Sequence, residues 1–314
     1  MRVISLGSGS SGNALLVQSG QTTALLDAGF PLRTLESRLR QVGVAPESVS
    51  AVFLTHEHHD HACGAAAFAR RYGAALIADP RTLAAVMEQA VRRWEGDAGA
   101  LRRTVERVEI AVSQPVVVGG LTARSFPVSH DAVAPCGYIL SSGAWRVCFV
   151  TDTGMVNEPI IEAMVESSLL VIESNHDRER LLHGPYPWHL KQRILSPTGH
   201  LANDQTGVAL LRVLDDSPRW VWLAHLSRTN NTPDLARAYL RERLREVGLR
   251  RVSPEVAPPG IGPVWDSATL WGARDAREAS LTVDARMEAT DDKRAGEPGR
   301  GGSPGQGVAA APDR

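Results

Sequence analysis

Four metal-binding side chains fall within six residues of this sequence, in Thr55-His56-Glu57-His58-His59-Asp60-His61, directly after the apolar run Ala51-Val52-Phe53-Leu54. An apolar run of that length reads as a short buried strand, so the cluster is expected on a rigid strand end. In an extended loop, residues two apart project the same way, which lets His56 and His58 share one metal. Asp60 and His61, at the turn into a following helix, can reach a second. Two imidazoles with a carboxylate suit zinc, with manganese or iron as alternatives where oxygen ligands increase. A chance surface run of histidines is the plain alternative, and the strand just upstream argues against it.

Strand signals recur along the chain. Residues 2–6, 14–17 and 22–26 are β-branched or apolar runs, the first two separated by Gly7-Ser8-Gly9-Ser10-Ser11-Gly12-Asn13. Leu32, Leu35, Leu39 and Val42 recur at helical spacing, and residues 65–72 and 82–94 also read as helices. Short β runs punctuated by Gly119-Gly120 fill residues 105–128, and further strands are expected at 137–140, 145–150, 169–172 and 221–224. Helices are expected at 208–214 and 235–244. This alternation predicts an α/β (α+β) protein, a four-layer αββα sandwich in which each of two mixed sheets buries one face on its partner and one under helices.

One folded domain is expected over residues 1–260, followed by a low-order extension over 261–314. From about residue 288 the chain is rich in Gly, Pro, Ala and charge, with too little apolar surface to offset its ordering entropy, so disorder is expected there. The formal net charge of -1 gives no overall attraction to polyanions, and positive charge is carried almost wholly by arginine. Cys63, Cys136 and Cys148 are odd in number and form no C-x-x-C pair, which suits a reducing compartment. With no apolar leader and no run approaching about eighteen apolar residues, the expected location is the cytoplasm.

Other strands also end in candidate ligands. Leu25-Leu26-Asp27-Ala28-Gly29, Pro127-Val128-Ser129-His130-Asp131, Val150-Thr151-Asp152-Thr153-Gly154 and Trp222-Leu223-Ala224-His225-Leu226-Ser227 occur in that order. With H-x-H-x-D-H, the series resembles the five motifs of the metallo-β-lactamase superfamily. The resemblance implies the metallo-β-lactamase fold and two divalent metal ions, one held by His56, His58 and His130 and the other by Asp60, His61 and His225. Asp152 would bridge them. Asp27 would act from behind the ligands, fixing a histidine or the histidine loop, with an ordinary turn aspartate as the alternative.

Fold and metals leave the substrate open, because the superfamily hydrolyses β-lactams, thioesters, lactones and phosphodiesters. Glu173-Ser174-Asn175-His176-Asp177, Gly199-His200-Leu201-Ala202-Asn203-Asp204 and the His225 motif resemble the late motifs of the ribonuclease Z group of phosphodiesterases. Residues 5–13 and Tyr186-Pro187-Trp188 add a resemblance to the WalJ (YycJ) branch, which covers most of residues 2–245 and implies a DNA exonuclease. Two metals can activate a bridging hydroxide as nucleophile and clamp the attacking and leaving oxygens of an in-line displacement. Asp60, His200 and Glu173 are the catalytic candidates, with His200 protonating the leaving oxygen and Glu173 holding and charging its imidazole. An idle histidine at a helix start is the alternative for His200.

Between those two residues, Arg178, Arg180, Tyr186, Trp188, Lys191 and Arg193 interleave bases with aromatics, the composition that neutralises phosphates and stacks on bases. An amphipathic segment with solvated arginines explains the same pattern. Ser8, Ser11 and Asn13 could touch substrate phosphate through the Gly/Ser loop, although that loop lacks the Lys-Ser/Thr ending of a nucleoside-triphosphate cradle. The reading is a dinuclear metal-dependent phosphodiesterase whose partner is nucleic acid, expected to be a DNA exonuclease. Its rivals are a thioester or lactone hydrolase with the same metals and a metal-stabilised binding protein without turnover, the latter opposed by the complete ligand set.

Overall fold

The computed structural model describes residues 1–270 apart from 216, 218, 250 and 251. The first sheet contains β1 (Arg2–Gly7), β2 (Ala14–Ser19), β3 (Thr22–Leu26), β4 (Val49–Phe53), β5 (Ala75–Ala78) and β6 (Arg107–Glu109). The second contains β7 (Pro115–Val118), β8 (Leu121–Pro127), β9 (Cys136–Ser142), β10 (Trp145–Val150), β11 (Leu169–Glu173), β12 (Trp220–Ala224) and β13 (Glu255–Val256). A last strand, β14 (Val264–Asp266), returns to pair with β1, giving the orders β14-β1-β2-β3-β4-β5-β6 and β13-β12-β11-β10-β9-β8-β7. Each sheet is mixed: β1-β2-β3 and β8-β9-β10 are antiparallel, while β3-β4-β5-β6 and β10-β11-β12-β13 are parallel.

The alternation of side chains along each strand divides its burial between two layers. Ile4, Leu16, Leu25, Val52 and Leu76 turn outward and meet Leu35 and Leu39 of α1 (Leu32–Gln41), Phe68 of α3 (Ala65–Tyr72) and Met87 of α4 (Pro80–Arg92). The one-turn α2 (His59–Ala62) precedes α3. On the far side Cys148, Leu170, Ile172 and Leu223 meet Ile160 and Met164 of α6 (Glu158–Val165), Leu210 of α9 (Asn203–Val213) and Leu240 of α10 (Pro233–Glu246). Three further α-helices are α5 (Ala98–Thr104), α7 (Arg178–His183) and α8 (Trp188–Leu195). This is the four-layer αββα sandwich expected from the strand and helix pattern.

Local details depart from expectation for identifiable reasons. The stretch 105–128 supplies strands to both sheets, β6 to the first and β7 and β8 to the second, so the chain crosses the sandwich between Glu109 and Pro115. The sheet also runs past residue 260, the expected end of the domain. Val264 pairs with Ile4, and Gly262 N donates to the Ser5 carbonyl at 2.9 Å, and the compact unit extends over Met1–Ser267. A three-residue strand among prolines and glycines carries no periodicity for sequence reasoning to detect. The tail from about 288 lies outside the described residues. Among the described residues, no helix is long and apolar enough to cross a membrane.

A buried tyrosine carries a polar contact across the interior between the sheets. Tyr138 of β9 is fully buried, its ring lies 5.6 Å from that of Phe53, and its hydroxyl donates to the Leu54 carbonyl at 3.0 Å. Leu54 follows β4 and precedes the histidine cluster, so the bond clamps the strand end that carries it. Tyr138→Phe is expected to leave that carbonyl short of a partner and to lower stability by about 1–2 kcal/mol, read as a lower urea midpoint at unchanged slope. An unchanged midpoint would show the bond to be energetically neutral.

Candidate metal centre and active site

The parallel strands deliver their carboxyl ends to one edge of the sandwich, where the chain turns away and leaves a crevice. Asp27 follows β3, His56 lies shortly after β4, Asp152 lies just beyond β10, Glu173 closes β11 and His225 follows β12. Three of these turns bend through left-handed backbone at non-glycine residues, with φ of 60° at Asp27, 54° at Asp152 and 55° at His225. Each such residue costs on the order of 1–2 kcal/mol, less for aspartate, and the surrounding hydrogen bonds hold it there. The turn after β3 packs hard against the histidine loop. A Cβ on Gly29 would lie 1.7 Å from the Asp60 carbonyl oxygen, and Ala28 N donates to the His61 carbonyl at 2.8 Å.

In His56, His61, His130 and His225 the outer ring nitrogen is held by an acceptor, which decides the tautomer. His61 Nδ1 donates to Asp27 Oδ2 at 2.7 Å, His225 Nδ1 to Glu173 Oε1 at 2.9 Å and His130 Nδ1 to the Thr198 carbonyl at 3.1 Å. Thr55 links two of these supports: its N–H and hydroxyl donate to Asp27 at 2.9 and 3.0 Å, leaving its oxygen to accept from His56 Nδ1 at 2.9 Å. The opposite nitrogens therefore present lone pairs to the crevice. Two of them, His56 Nε2 and His225 Nε2, are buried without a hydrogen bond. His58 presents Nδ1, 3.3 Å from His130 Nε2.

These donors fall into overlapping groups. Atoms of His56, His58 and His130 lie within 4.8 Å of one another, as do those of Asp60, His61 and His225. Asp152 belongs to one such group with His56 and His61 and to another with His225, His200 and Glu173. Imidazole nitrogen and carboxylate oxygen in this mixture suit zinc, manganese or iron. The electrostatics also fit cations. Burial opposes charge on His61, but Asp152 and Asp27 outweigh it and raise the imidazole to about 10. Burial likewise opposes ionisation of Asp152, yet His225 and His61 hold it well below the usual carboxylate range. Positive charge among these carboxylates is what the site stabilises, and divalent ions facing inward lone pairs satisfy that demand.

Glu173 is the second organising carboxylate and is fully buried. Its Oε1 accepts from His200 Nδ1 at 2.8 Å as well as from His225, and its Oε2 accepts from the backbone N–H groups of Thr153 and Leu201 at 3.0 and 3.2 Å. One side chain thus ties β11 to the Asp152 turn, the His200 loop and the His225 turn. Burial lowers the His200 imidazole, but Glu173 and Asp152 overcome it and raise the value to about 9.

A cavity opens over the crevice, bordered by Ser10, His58, Asp60, Asp131, Asn175, Tyr186, Arg193, His200 and Ser227 among others. Of the side chains expected at the substrate, Tyr186 and Arg193 border it, and Arg193 Nε is bonded to Asp131 Oδ2 at 2.7 Å. Trp188 is 61% exposed at the start of α8 and does not border the cavity. Ser8 and Asn13, expected to touch phosphate, are buried: the Ser8 hydroxyl accepts from His225 N at 2.8 Å, and Asn13 Nδ2 reaches Gly9 O at 3.2 Å and His61 Nε2 at 3.0 Å. Their glycine-rich loop braces the ligands from behind. Lys191 is buried too, its amine bonded to the Leu182 carbonyl at 2.7 Å, and Arg178 is paired with Asp204 at 3.2 Å. The Arg180 side chain reaches the Thr229 carbonyl at 3.5 Å, and Ser11 accepts from Arg228 at 3.0 Å. Sequence reasoning missed Thr55, Ser10, Asn175 and Ser227. Each adjoins a motif residue, and only the packing distinguishes them from filler.

Residues 22–225 match the beta-lactamase superfamily domain family, more than half of the chain. The chain is 35% identical over 243 residues to a Bacillus anthracis protein named exodeoxyribonuclease YycJ, covering 77% of this chain and 89% of that one. It is 35% identical over 244 residues to Streptococcus pneumoniae exodeoxyribonuclease WalJ, covering 78% and 88%. Among solved structures, the metallo-β-lactamase fold protein YhfI of Bacillus subtilis superposes with a TM-score of 0.62 at 18% identity, over 84% of this chain and 99% of that one. Strand-end ligands, a mixed-sheet sandwich and matched sequence over most of the chain agree: the protein is a hydrolase of the metallo-β-lactamase superfamily and belongs to its YycJ/WalJ branch.

Proposed function

We propose that this protein is a dinuclear metal-dependent phosphodiesterase that degrades DNA from its ends. The carrying observation is that two donor groups, His56-His58-His130 and Asp60-His61-His225, with Asp152 grouped with His56 and His61 between them, meet a Glu173-held His200 at one cavity. The relatives named exodeoxyribonuclease, matched over most of both chains, supply the polymer and the mode of attack. In this reading His56, His58 and His130 hold one ion, Asp60, His61 and His225 the other, and Asp152 both, with zinc as the first choice and manganese or iron as alternatives. Divalent ions bound there would supply Lewis acidity toward the phosphodiester and a nucleophilic hydroxide at neutral pH.

The chain's own side chains do the rest. Asp27 and Glu173 fix the tautomers of His61 and His225, so that their inward nitrogens are ready to bind without rearrangement. With Asp152 committed to cations, Glu173 keeps a proton on His200, which borders the cavity and delivers that proton to the departing oxygen. Tyr186 offers a ring to a base, and Arg193 a guanidinium to a phosphate. The catalytic unit is Met1–Ser267, and the three free cysteines, two of them buried, suit a reducing cytoplasm.

End-labelled single-stranded and duplex DNA beside matched RNA, with Zn or Mn supplied, should give a ladder of products shortened from one end of DNA. Exclusive turnover of thioester or lactone substrates in the same panel would sink the nuclease reading. Asp152→Asn keeps a residue tolerant of left-handed backbone but removes the shared charge, so bound metal should fall below two equivalents by elemental analysis. Activity should fall by more than about a thousandfold, the loss of several kcal/mol of Lewis-acid stabilisation, with far-UV circular dichroism unchanged. His58→Ala, at a half-buried position, should do the same, and full metal content in both variants would refute the ligand assignment. Glu173→Gln removes the carboxylate that raises His200, so the alkaline limb of kcat/KM should move to lower pH by at least about one unit. The sign follows because an acid that loses its proton earlier loses activity earlier, and a limb that stays put would remove His200 from the role.

A further inference from the structure

Nucleic acid leaving the cavity has two rims to cross, and they differ in free charge. On the α7–α8 side, Arg178 is paired with Asp204 at 3.2 Å, Arg193 with Asp131 at 2.7 Å, and the Lys191 amine is buried on a carbonyl. The opposite rim is formed by the 7–13 loop and the turn after β12. There Arg228 is exposed and has no carboxylate partner among the described residues, its only hydrogen bond being the 3.0 Å contact of Nη2 with Ser11 Oγ. Arg180, which reaches the same turn through the Thr229 carbonyl at 3.5 Å, also lacks a carboxylate partner among the described residues. Ser10 and Ser227, the neighbours of Ser11 and Arg228, both border the cavity.

Both loops are fixed before any ligand arrives. Asn231 Nδ2 donates to the Ser174 and Asn175 carbonyls at 2.9 and 3.2 Å, Ser227 N to the Asn175 carbonyl at 2.8 Å, and Ser227 Oγ accepts from Asn230 N at 3.1 Å. In the adjoining loop, Gly12 N donates to the Gly9 carbonyl at 2.9 Å, Asn13 Oδ1 accepts from Gly9 N at 2.8 Å, and the Ser8 hydroxyl accepts from His225 N at 2.8 Å. An exposed guanidinium and two hydroxyls on rigid loops, next to a metal site and without a counter-charge, match a phosphodiester oxygen at little ordering cost.

We propose that Arg228, Ser11 and Ser10 form a subsite for a backbone phosphate adjacent to the one being cleaved, and that the strand passes over the rim where the 7–13 loop packs on the 226–231 turn. The proposal rests on the nuclease reading above for its substrate, but binding alone tests it. The full chain in EDTA would be titrated against a 5′-fluorescein single-stranded oligodeoxynucleotide by anisotropy across a series of salt concentrations. Arg228→Ala is expected to weaken binding about tenfold at low salt and to flatten the log K against log salt slope by about 0.7, the contribution of one phosphate on a single strand. Arg228→Lys keeps the charge and should restore the slope. Arg124→Ala removes an equal charge from β8, where it pairs with Glu166 at 2.8 Å, and should leave affinity and slope as in the parent. Equal losses in Arg124→Ala and Arg228→Ala, an unaltered slope in Arg228→Ala, or no binding by the parent would overturn the subsite. A parent that cleaves DNA while Arg228→Ala binds normally overturns this proposal alone. A parent that binds with the Arg228-dependent slope yet cleaves no nucleic acid overturns the nuclease reading and leaves the subsite standing.

Discussion

Burying a carboxylate costs several kcal/mol unless opposite charge and hydrogen bonds replace the water it loses, and this protein buries Asp27, Asp152 and Glu173 together at one end of its sandwich. Everything nearby answers that cost. Imidazoles flank Asp152, backbone amides and two imidazoles surround Glu173, and Thr55 with His61 occupies Asp27. Such a cluster is a poor source of folding stability and an effective cation trap, because each acceptor already orients a ring whose remaining nitrogen points inward.

The sheets exist, in functional terms, to bring those carboxylates to one edge. Parallel pairing of β3 with β4 and of β10 with β11 and β12 aligns five strand ends, and the Tyr138 bond keeps the two sheets in register at the histidine loop. Left-handed turns at Asp27, Asp152 and His225 then send the chain away sharply enough for the side chains to stay behind in the crevice. The strain is local, and the packing of two apolar layers on either side of each sheet is large enough to carry it.

The candidate site was legible because Asp27, Asp152 and His225 lie at or just past the ends of apolar runs that read as buried strands, and because His56 to His61 puts four possible donors in one short loop. Charge and aromatic composition were weaker guides on the substrate side. Lys191 reads as a phosphate contact but spends its amine on a helix carbonyl, and Arg178 reads as free but faces Asp204. Sequence spacing reports which residues share an element, whereas the partner that neutralises a charge comes from another element. Ser8 and Asn13 show the same limit, since a Gly/Ser loop that could cradle an anion instead props up His225 and Asp60. The short strands β13 and β14 lay beyond reach because two or three residues among prolines contain no period.

The hydrogen bond from His225 N to Ser8 Oγ joins residues 217 positions apart, and β1 waits for β14 to complete its pairing. A chain emerging from the ribosome therefore displays His56, His58, Asp60 and His61 well before their brace and final partner exist. Closing the crevice therefore needs both the first and the last strand of the 1–267 unit in place.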